Sequence, residues 1–276
     1  MSTCITPRLA CPDDSNLLIA ATSGVSCPHC GRNFTAASGI MELLPQGSLK
    51  DGTSESRRLE NYNATFSQRS DEPWLQPFRE FIAKLGNAYL YSWVRRSIET
   101  IAAERTLMIL DAACGEGILR RYVAGRHYYT GVDFSSRPLA RAMRYHPADY
   151  FRADLNHLPF ASASFDVMVS LQTLQYLDRP DLALGQIARV LKPGGHLLLS
   201  VPNDGSFKYR RQGVAPIQLQ RFRRDNLTAM LSKNFQVKSM ETRGIWVPLP
   251  KFSVHLRGVY RESWGLSWTS VSVPKS

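Results

Sequence analysis

The sequence predicts an α/β fold: an open, mostly parallel sheet with helices on both faces, preceded by a small cysteine-bearing module. Three observations predict it. Strand-like and helical runs alternate from Leu107 onward, an acidic residue closes or follows each of three successive strands, and four of the five cysteines fall within residues 1–45. Strand–helix–strand alternation requires crossover connections, and these join parallel strands with helices packed on both faces.

The elements follow in order. Residues 1–45 hold the cysteines and short β-like pieces such as Leu17–Ala21. Residues 46–56 (QGSLKDGTSES) are polar and rich in Gly and Ser, which marks a linker before a main domain over 57–276. Trp74–Ile82 and Ala88–Ile101 carry apolar residues at helical spacing. Leu107–Asp111, Tyr128–Asp133, Phe165–Leu171 and His196–Val201 read as strands, separated by helical stretches at Ile118–Ala124, Arg137–Tyr145 and Leu182–Leu191. A helix is expected at Arg224–Ser232, a strand near Phe235–Arg243, and a last antiparallel edge strand at Leu266–Val273.

The 276 residues are 43% hydrophobic and 21% charged, enough for one sizeable core and too apolar for bulk disorder. No run of about 18 apolar residues occurs, so no membrane span is expected. The N-terminus lacks the basic flank and apolar stretch of a secretory leader. The expected compartment is the cytoplasm, where clustered cysteines read first as metal ligands. Of the net charge of +11, residues 204–276 supply most, with 13 Lys/Arg against 4 Asp/Glu. Such local charge suggests an anionic substrate, a nucleic acid or an anionic surface.

The candidate ligand site gathers at the strand tips. ILDAACGEG places Asp111 at the end of one strand, with Gly115 and Gly117 in the turn, where glycine lets a backbone approach a ligand. YTGVDFS places Asp133 where a carboxylate can accept from two ribose hydroxyls. FRADLNHLPF places Asp154 where an acceptor can meet an exocyclic amine. Position 120 is Arg where a dinucleotide fingerprint wants glycine, and no GK[ST] occurs, which excludes a P-loop. A ligand with a cationic centre and a ribose but no phosphate fits, and S-adenosylmethionine is such a molecule.

LDAACGEG, GVDFS, ADLNHLPFASASFDVMVS and ARVLKPGGHLLLSVP, in that order, resemble the class I methyltransferases of the methyltransferase-11 type over roughly residues 57–273. The resemblance implies a Rossmann-like, seven-stranded sheet and S-adenosylmethionine as methyl donor. It assigns Asp111, Cys114, Gly115 and Gly117 to the glycine-rich motif and Asp133 and Phe134 to the ribose and adenine. It assigns Asp154 and Leu155 to the adenine edge, and Leu171 and Gln172 to the methionine end. Tyr62 or Phe66 matches an aromatic that covers the donor. Cys114 reads as a packing residue, since no basic partner is evident beside it.

In the module, VSCPHCGRNF offers Cys27 and Cys30 to one tetrahedral ion, and LACPDD offers Cys11 with Asp14 in the place of a second cysteine. This part resembles Trm112-like zinc ribbons, with SGIMELLP as the exit segment. Zinc on Cys11, Asp14, Cys27 and Cys30 is the expectation, with Cys4 the rival for the fourth place, and a relic ribbon without metal the alternative. A module of this size can hardly fold on core burial alone.

KYRR (Lys208–Arg211) and RFRR (Arg221–Arg224) interleave aromatic and basic residues. They suit either phosphates and bases of an RNA or a clamp on a small anion. For RFRR a solvated helix start is the plainer reading. Lid segments are expected near 204–222 and 245–262, where Trp246, Phe252 and Tyr260 suggest a partly apolar acceptor surface. Among histidines, His157 lies nearest the presumed donor, while His127, His146 and His196 sit in ordinary structural positions. No residue is assigned as a general base. The leading expectation is methyl transfer to an O, N or C centre of a small molecule. An rRNA or tRNA base methyltransferase is the second reading, although strand four continues as VSLQTLQYL without an NPPY-like motif. A non-catalytic zinc-ribbon adaptor with a vestigial donor fold is the third.

Overall fold

The computed structural model describes residues 7–50, 60, 76–212, 218–248, 253–260 and 265–275. Tyr62, Phe66 and Cys4 lie outside the described residues.

The first strands are short. β1 (Ile19–Ala21), β2 (Gly24–Ser26) and β3 (Asn33–Phe34) pair antiparallel in that order. Gly24, at φ +122°, is required: a Cβ there would sit 2.2 Å from the Phe34 carbonyl oxygen. β4 (Ala36–Ala37) and β5 (Ile40–Leu43) form a hairpin that joins a second, larger sheet.

The larger sheet is built from β6 (Met108–Ala112), β7 (Tyr128–Asp133), β8 (Asp149–Ala153), β9 (Phe165–Leu171), β10 (Leu191–Pro202), β11 (Phe235–Pro248), β12 (Ser253–Tyr260) and β13 (Gly265–Pro274). With β4 and β5 it has ten strands, ordered β12-β11-β13-β10-β9-β6-β7-β8-β5-β4. The seven strands from β11 to β8 form the Rossmann-like core. Strands β5 to β10 pair parallel within this order, and β13 is antiparallel to both neighbours. From β6 the chain runs outward through β7 and β8, then returns to β9 on the other side. That reversal opens a crevice at the carboxyl ends of β6 and β9, where open α/β sheets take ligands.

Helices cover both faces. α1 (Gln76–Ala102) and α2 (Ser136–Tyr145) pack on one, through Leu90, Trp93, Val94, Ile98 and Ala102 and through Leu139 and Ala142. α3 (Pro180–Val190) and α5 (Arg224–Leu231) pack on the other, through Ala183, Leu184, Ile187 and Val190 and through Leu227 and Leu231. α4 (Phe207–Gln212) follows β10. β6 is buried at all five positions, which explains its unbroken apolar run up to Asp111. Among the described residues, no helix is long and apolar enough to cross a membrane.

Three elements differ from expectation. Ile118–Tyr122 is a 3-10 helix, entered from left-handed Gly117 and burying only Leu119, too little apolar stripe to hold an α-helix. β13 lies between β10 and β11 rather than at the edge, because β11 continues to Pro248 and pairs onward with β12. Residues 253–260 of the expected second lid segment are therefore strand. α1 is one continuous helix from Gln76 where two pieces were expected.

Phe160 is fully buried, with the rings of Phe165 and Phe151 edge-on at 5.0 and 5.8 Å. Phe160→Ala is expected to destabilise the chain by about 3–5 kcal/mol. A denaturant titration should show the midpoint falling at unchanged slope, and a loss under about 1 kcal/mol would contradict this packing.

Candidate active site and metal centre

The turn after β6 is held by three left-handed residues, Ala113 (φ 61°), Gly115 (φ 55°) and Gly117 (φ 70°). The two glycines serve different ends. A Cβ on Gly115 would meet nothing within 4 Å, so the space before it is open to a ligand. A Cβ on Gly117 would strike the Tyr150 hydroxyl at 2.5 Å and Ala142 at 2.9 Å. Gly131, which sequence reasoning passed over, is as tightly fitted, against the Tyr150 ring (2.6 Å) and the Cys114 sulfur (2.9 Å).

The three acids stand at the carboxyl ends of adjacent strands, all buried: Asp111 in β6, Asp133 ending β7, Asp154 just after β8. Asp111 Oδ2 accepts from the Tyr129 hydroxyl at 2.5 Å. Asp133 accepts from the Gly115 N–H and the Ser135 N–H, both at 2.9 Å, and so ties the β7 tip to the glycine turn. Asp154 accepts from the Asn156 N–H at 3.0 Å and starts the 3-10 turn Leu155–His157. Burial pushes Asp111 up to about 7, against the Tyr129 hydrogen bond and with help from Asp133. Burial also raises Asp133, despite its main-chain donors. Each site gains from a cation or hydrogen-bond donor brought in from outside.

Phe134 is half-buried beyond Asp133, and its carbonyl accepts from Arg152 Nε at 3.0 Å. Leu155 is buried and His157 exposed. Cys114 lies in the turn, its thiol raised by burial and by Asp111 and Asp133, so it stays protonated and is no nucleophile. Leu171 ends β9 and Gln172 follows it. Gln172 takes φ 55°, and its amide donates to Ser200 (2.8 Å) and Ser267 (3.2 Å). Ser267 also meets the Tyr89 hydroxyl of α1 at 2.9 Å.

Tyr89 and Tyr209 of α4 influence each other electrostatically, as do Tyr209 and Tyr176. Burial pushes Tyr89 up to about 12 and raises Tyr209 further, so these phenols are donors and not bases at neutral pH. Lys208, lowered by burial, lies 5.6 Å from the Tyr209 ring. RFRR is not a uniform cationic face. Phe222 is buried, Arg221 and Arg223 flank Asp204 at 3.9 and 3.8 Å, and Arg224 lies over the Trp268 ring. Tyr129, Gly131 and Arg152 lie within YTGVDFS and FRADLNHLPF but were not singled out there, and Tyr150 and Tyr89 lie outside the motifs.

The four expected metal ligands meet. One ligand atom each from Cys11, Asp14, Cys27 and Cys30 lies within 4.8 Å of all the others. They come from two matched turns. The Ser15 N–H donates to the Cys11 carbonyl (2.8 Å) as the Gly31 N–H donates to that of Cys27 (3.0 Å). The Cys11 N–H donates to the Asn16 carbonyl and the Cys27 N–H to that of Arg32. Ser15 (φ 62°) and Gly31 (φ 75°) take the same left-handed place. Asp14 thus holds the position of Cys30. Its carboxyl is held well below the usual range by the Asn16 N–H, with His29 and Cys27 adding to this.

The geometry fits a tetrahedral ion. Zn–S bonds of about 2.3 Å imply a sulfur–sulfur edge of about 3.8 Å, and Cys11 and Cys30 are 3.7 Å apart. Cys27 Sγ and Asp14 Oδ2 are 3.4 Å apart. Burial and the neighbouring thiols push Cys11 up to about 12, a cost that a bound cation reverses.

The family model described as "Methyltransferase domain" matches residues 110–199. A malonyl-[acyl-carrier protein] O-methyltransferase of Erwinia pyrifoliae is 40% identical over 115 residues, 41% of this chain and 44% of that protein. The chain thus spans under half the length of that curated relative. A protein of Pyrococcus horikoshii OT3 shares the fold at TM-score 0.55 and 16% identity, over 78% of this chain and 99% of that one. A Thermotoga maritima structure titled SAM-dependent methyltransferase, possible histamine N-methyltransferase, does so at TM-score 0.53 and 18% identity, over 72% and 96%.

Asp111→Asn tests the buried carboxylate. Its raised value means that a stability cost grows as pH rises above the unfolded value of 3.8 and is complete above about pH 7. At about 1.4 kcal/mol per pH unit, the variant should be more stable at pH 8 by on the order of 2–4 kcal/mol. The gain should shrink as pH falls towards 4. Thermal unfolding at both pH values checks this, and equal stability at pH 8 would refute it.

Proposed function

We propose that this chain is an S-adenosylmethionine-dependent methyltransferase acting on a small-molecule acceptor, with a zinc ion on Cys11, Asp14, Cys27 and Cys30. The observation that carries the first part is the row of buried carboxylates, Asp111, Asp133 and Asp154, on adjacent strand tips around the open space before Gly115. The match of residues 110–199 to a methyltransferase domain supports it.

The donor supplies an activated methyl group on sulfur. The chain's own part is to bind and orient. Asp133 retains acceptor capacity for ribose hydroxyls beyond its two main-chain donors. Phe134 and Leu155 offer faces for the adenine, and Asp154 an acceptor at its edge. Gly115 leaves room for the backbone to approach, and Gln172 sits at the methionine end. The acceptor's lone pair forms the new bond to the methyl carbon while the carbon–sulfur bond breaks, its electron pair going to sulfur. Proximity and alignment are then the main demands on the protein.

Oxygen is the favoured acceptor atom. The aligned curated relative is named for O-methyl transfer to a malonyl group on acyl-carrier protein. Tyr89, joined to Gln172 through Ser267, and the buried Tyr209 are donors that suit an acceptor that arrives already ionised, such as a carboxylate, which needs no base.

Calorimetry with S-adenosylhomocysteine should give one site per chain, and labelled methyl groups should pass to a malonyl thioester and not to bulk RNA. No affinity for donor or product would refute the enzyme reading. Label entering RNA alone would replace the acceptor reading. Metal analysis should find one zinc per chain. Asp14→Cys should hold it longer against a chelator, and Asp14→Ala should lose it at least ten times faster; equal retention in all three would remove Asp14 from the ligand set.

A further inference from the structure

The metal centre is not a bead on a linker. Its turns are woven into the wall of the donor crevice by three separate connections. The first is β5, which extends the sheet beside β8 in parallel register, Met41 with Phe151, Glu42 with Arg152 and Leu43 with Ala153. The next residue after this pairing is Asp154. The second is the segment before Cys11. The Ala10 N–H donates to the Pro159 carbonyl (3.0 Å) and the Ala161 N–H to the Arg8 carbonyl (2.9 Å), with Leu9 opposite Phe160. The 154–160 loop, which carries Asp154 and Leu155, is therefore gripped at both ends by the N-terminal residues.

The third connection is a side chain. Arg152 is 9% exposed and reaches two ways: Nη1 to Glu42 Oε1 of β5 at 2.8 Å, and Nε to the Phe134 carbonyl at 3.0 Å. Phe134 follows Asp133. Glu42 thus orients the arginine that holds the strand tip of the second carboxylate.

These grips depend on a very small core. Cys11, Cys27, Phe34 and Leu43 make up the buried cluster under the metal turns, with Leu9 and Phe151 packed against it. Two of the four are metal ligands. Such a core cannot order its surroundings alone, so metal binding and local folding are one event. Phe151 continues the contact into the main domain through Phe160.

We infer that zinc occupancy at Cys11, Asp14, Cys27 and Cys30 sets the affinity of the donor crevice, acting through β5, the 8–10 segment and the positioning residue Arg152. This rests on the donor and metal readings proposed above. Without the ion the cluster loosens, both strand pairings weaken, and the loop bearing Asp154 and the carbonyl of Phe134 lose their fixed places. Linkage makes the effect reciprocal: a donor-site ligand must tighten the hold on zinc by the same factor.

The test uses the full chain and S-adenosylhomocysteine. Calorimetry is run on zinc-loaded protein, on protein stripped by a chelator, and on stripped protein given zinc again. Stripping should weaken binding at least tenfold and zinc should restore it. Saturating S-adenosylhomocysteine should raise the zinc affinity, read by equilibrium competition with the chelator, by the same factor. Should stripping unfold the chain, Glu42→Gln and Arg152→Met in the loaded state carry the test. Each should weaken binding about three- to tenfold with zinc content unchanged. Unchanged affinity in the folded stripped protein, or in both loaded variants, overturns the inference and leaves the donor reading standing. Loaded protein that binds no S-adenosylhomocysteine overturns the donor reading together with the inference, and a chain that takes up no zinc overturns the metal reading together with it while leaving the donor reading standing.

Discussion

The burial of Asp111 and Asp133 side by side at the switch point of the sheet is the constraint on which the site depends. Two carboxylates out of water need donors, and the chain supplies few: the Tyr129 hydroxyl for one, the Gly115 and Ser135 N–H groups for the other. The N–H of Gly115 reaches Asp133 only because Ala113, Gly115 and Gly117 all take left-handed backbone. That turn in turn closes over Tyr150, whose ring fills the space left by Gly117 and Gly131. Carboxylate, turn and ring form one unit, and what it leaves open is the room before Gly115.

A carboxylate raised by burial is under-satisfied, and the same feature that costs stability favours a cationic or hydrogen-bonding ligand. The opposite edge of the crevice has another character. Around Gln172, Ser200 and Ser267 the groups are hydroxyls and amides, with the phenols of Tyr89 and Tyr209 held protonated by burial. One side accepts and the other donates. The division suits two different partners on the two sides, a hydrogen-bonding or cationic group by the acids and an electron-rich one by the phenols.

The N-terminal turns follow the logic of small metal-held folds, with one change. Their matched hydrogen bonds place Asp14 where Cys30 stands in the other turn, so three sulfurs and one oxygen converge. The carboxyl of Asp14 is held well below the usual range by the Asn16 N–H, with His29 adding to this. The turns keep a small sheet of their own, and the β4–β5 hairpin that follows them lengthens the main sheet beside β8.

Much of this was legible in the residues. Strands β7 and β9 appear where the alternation of strand-like and helical runs puts them. The acids were legible because each stands at or just after the end of a strand-like run, and Cys27 with Cys30 because two thiols three apart share one turn. The pairing of β5 with β8, the place of β13 between β10 and β11, and the reach of Arg152 to Glu42, 110 positions away, were not. These are contacts between segments that carry no mark of each other, and register between strands is chosen by how whole faces pack. Local chemistry therefore told which groups the chain would present at its strand tips. Tertiary packing alone decided which of them meet, how dry they become, and that the strand following the metal turns joins the sheet that carries the crevice.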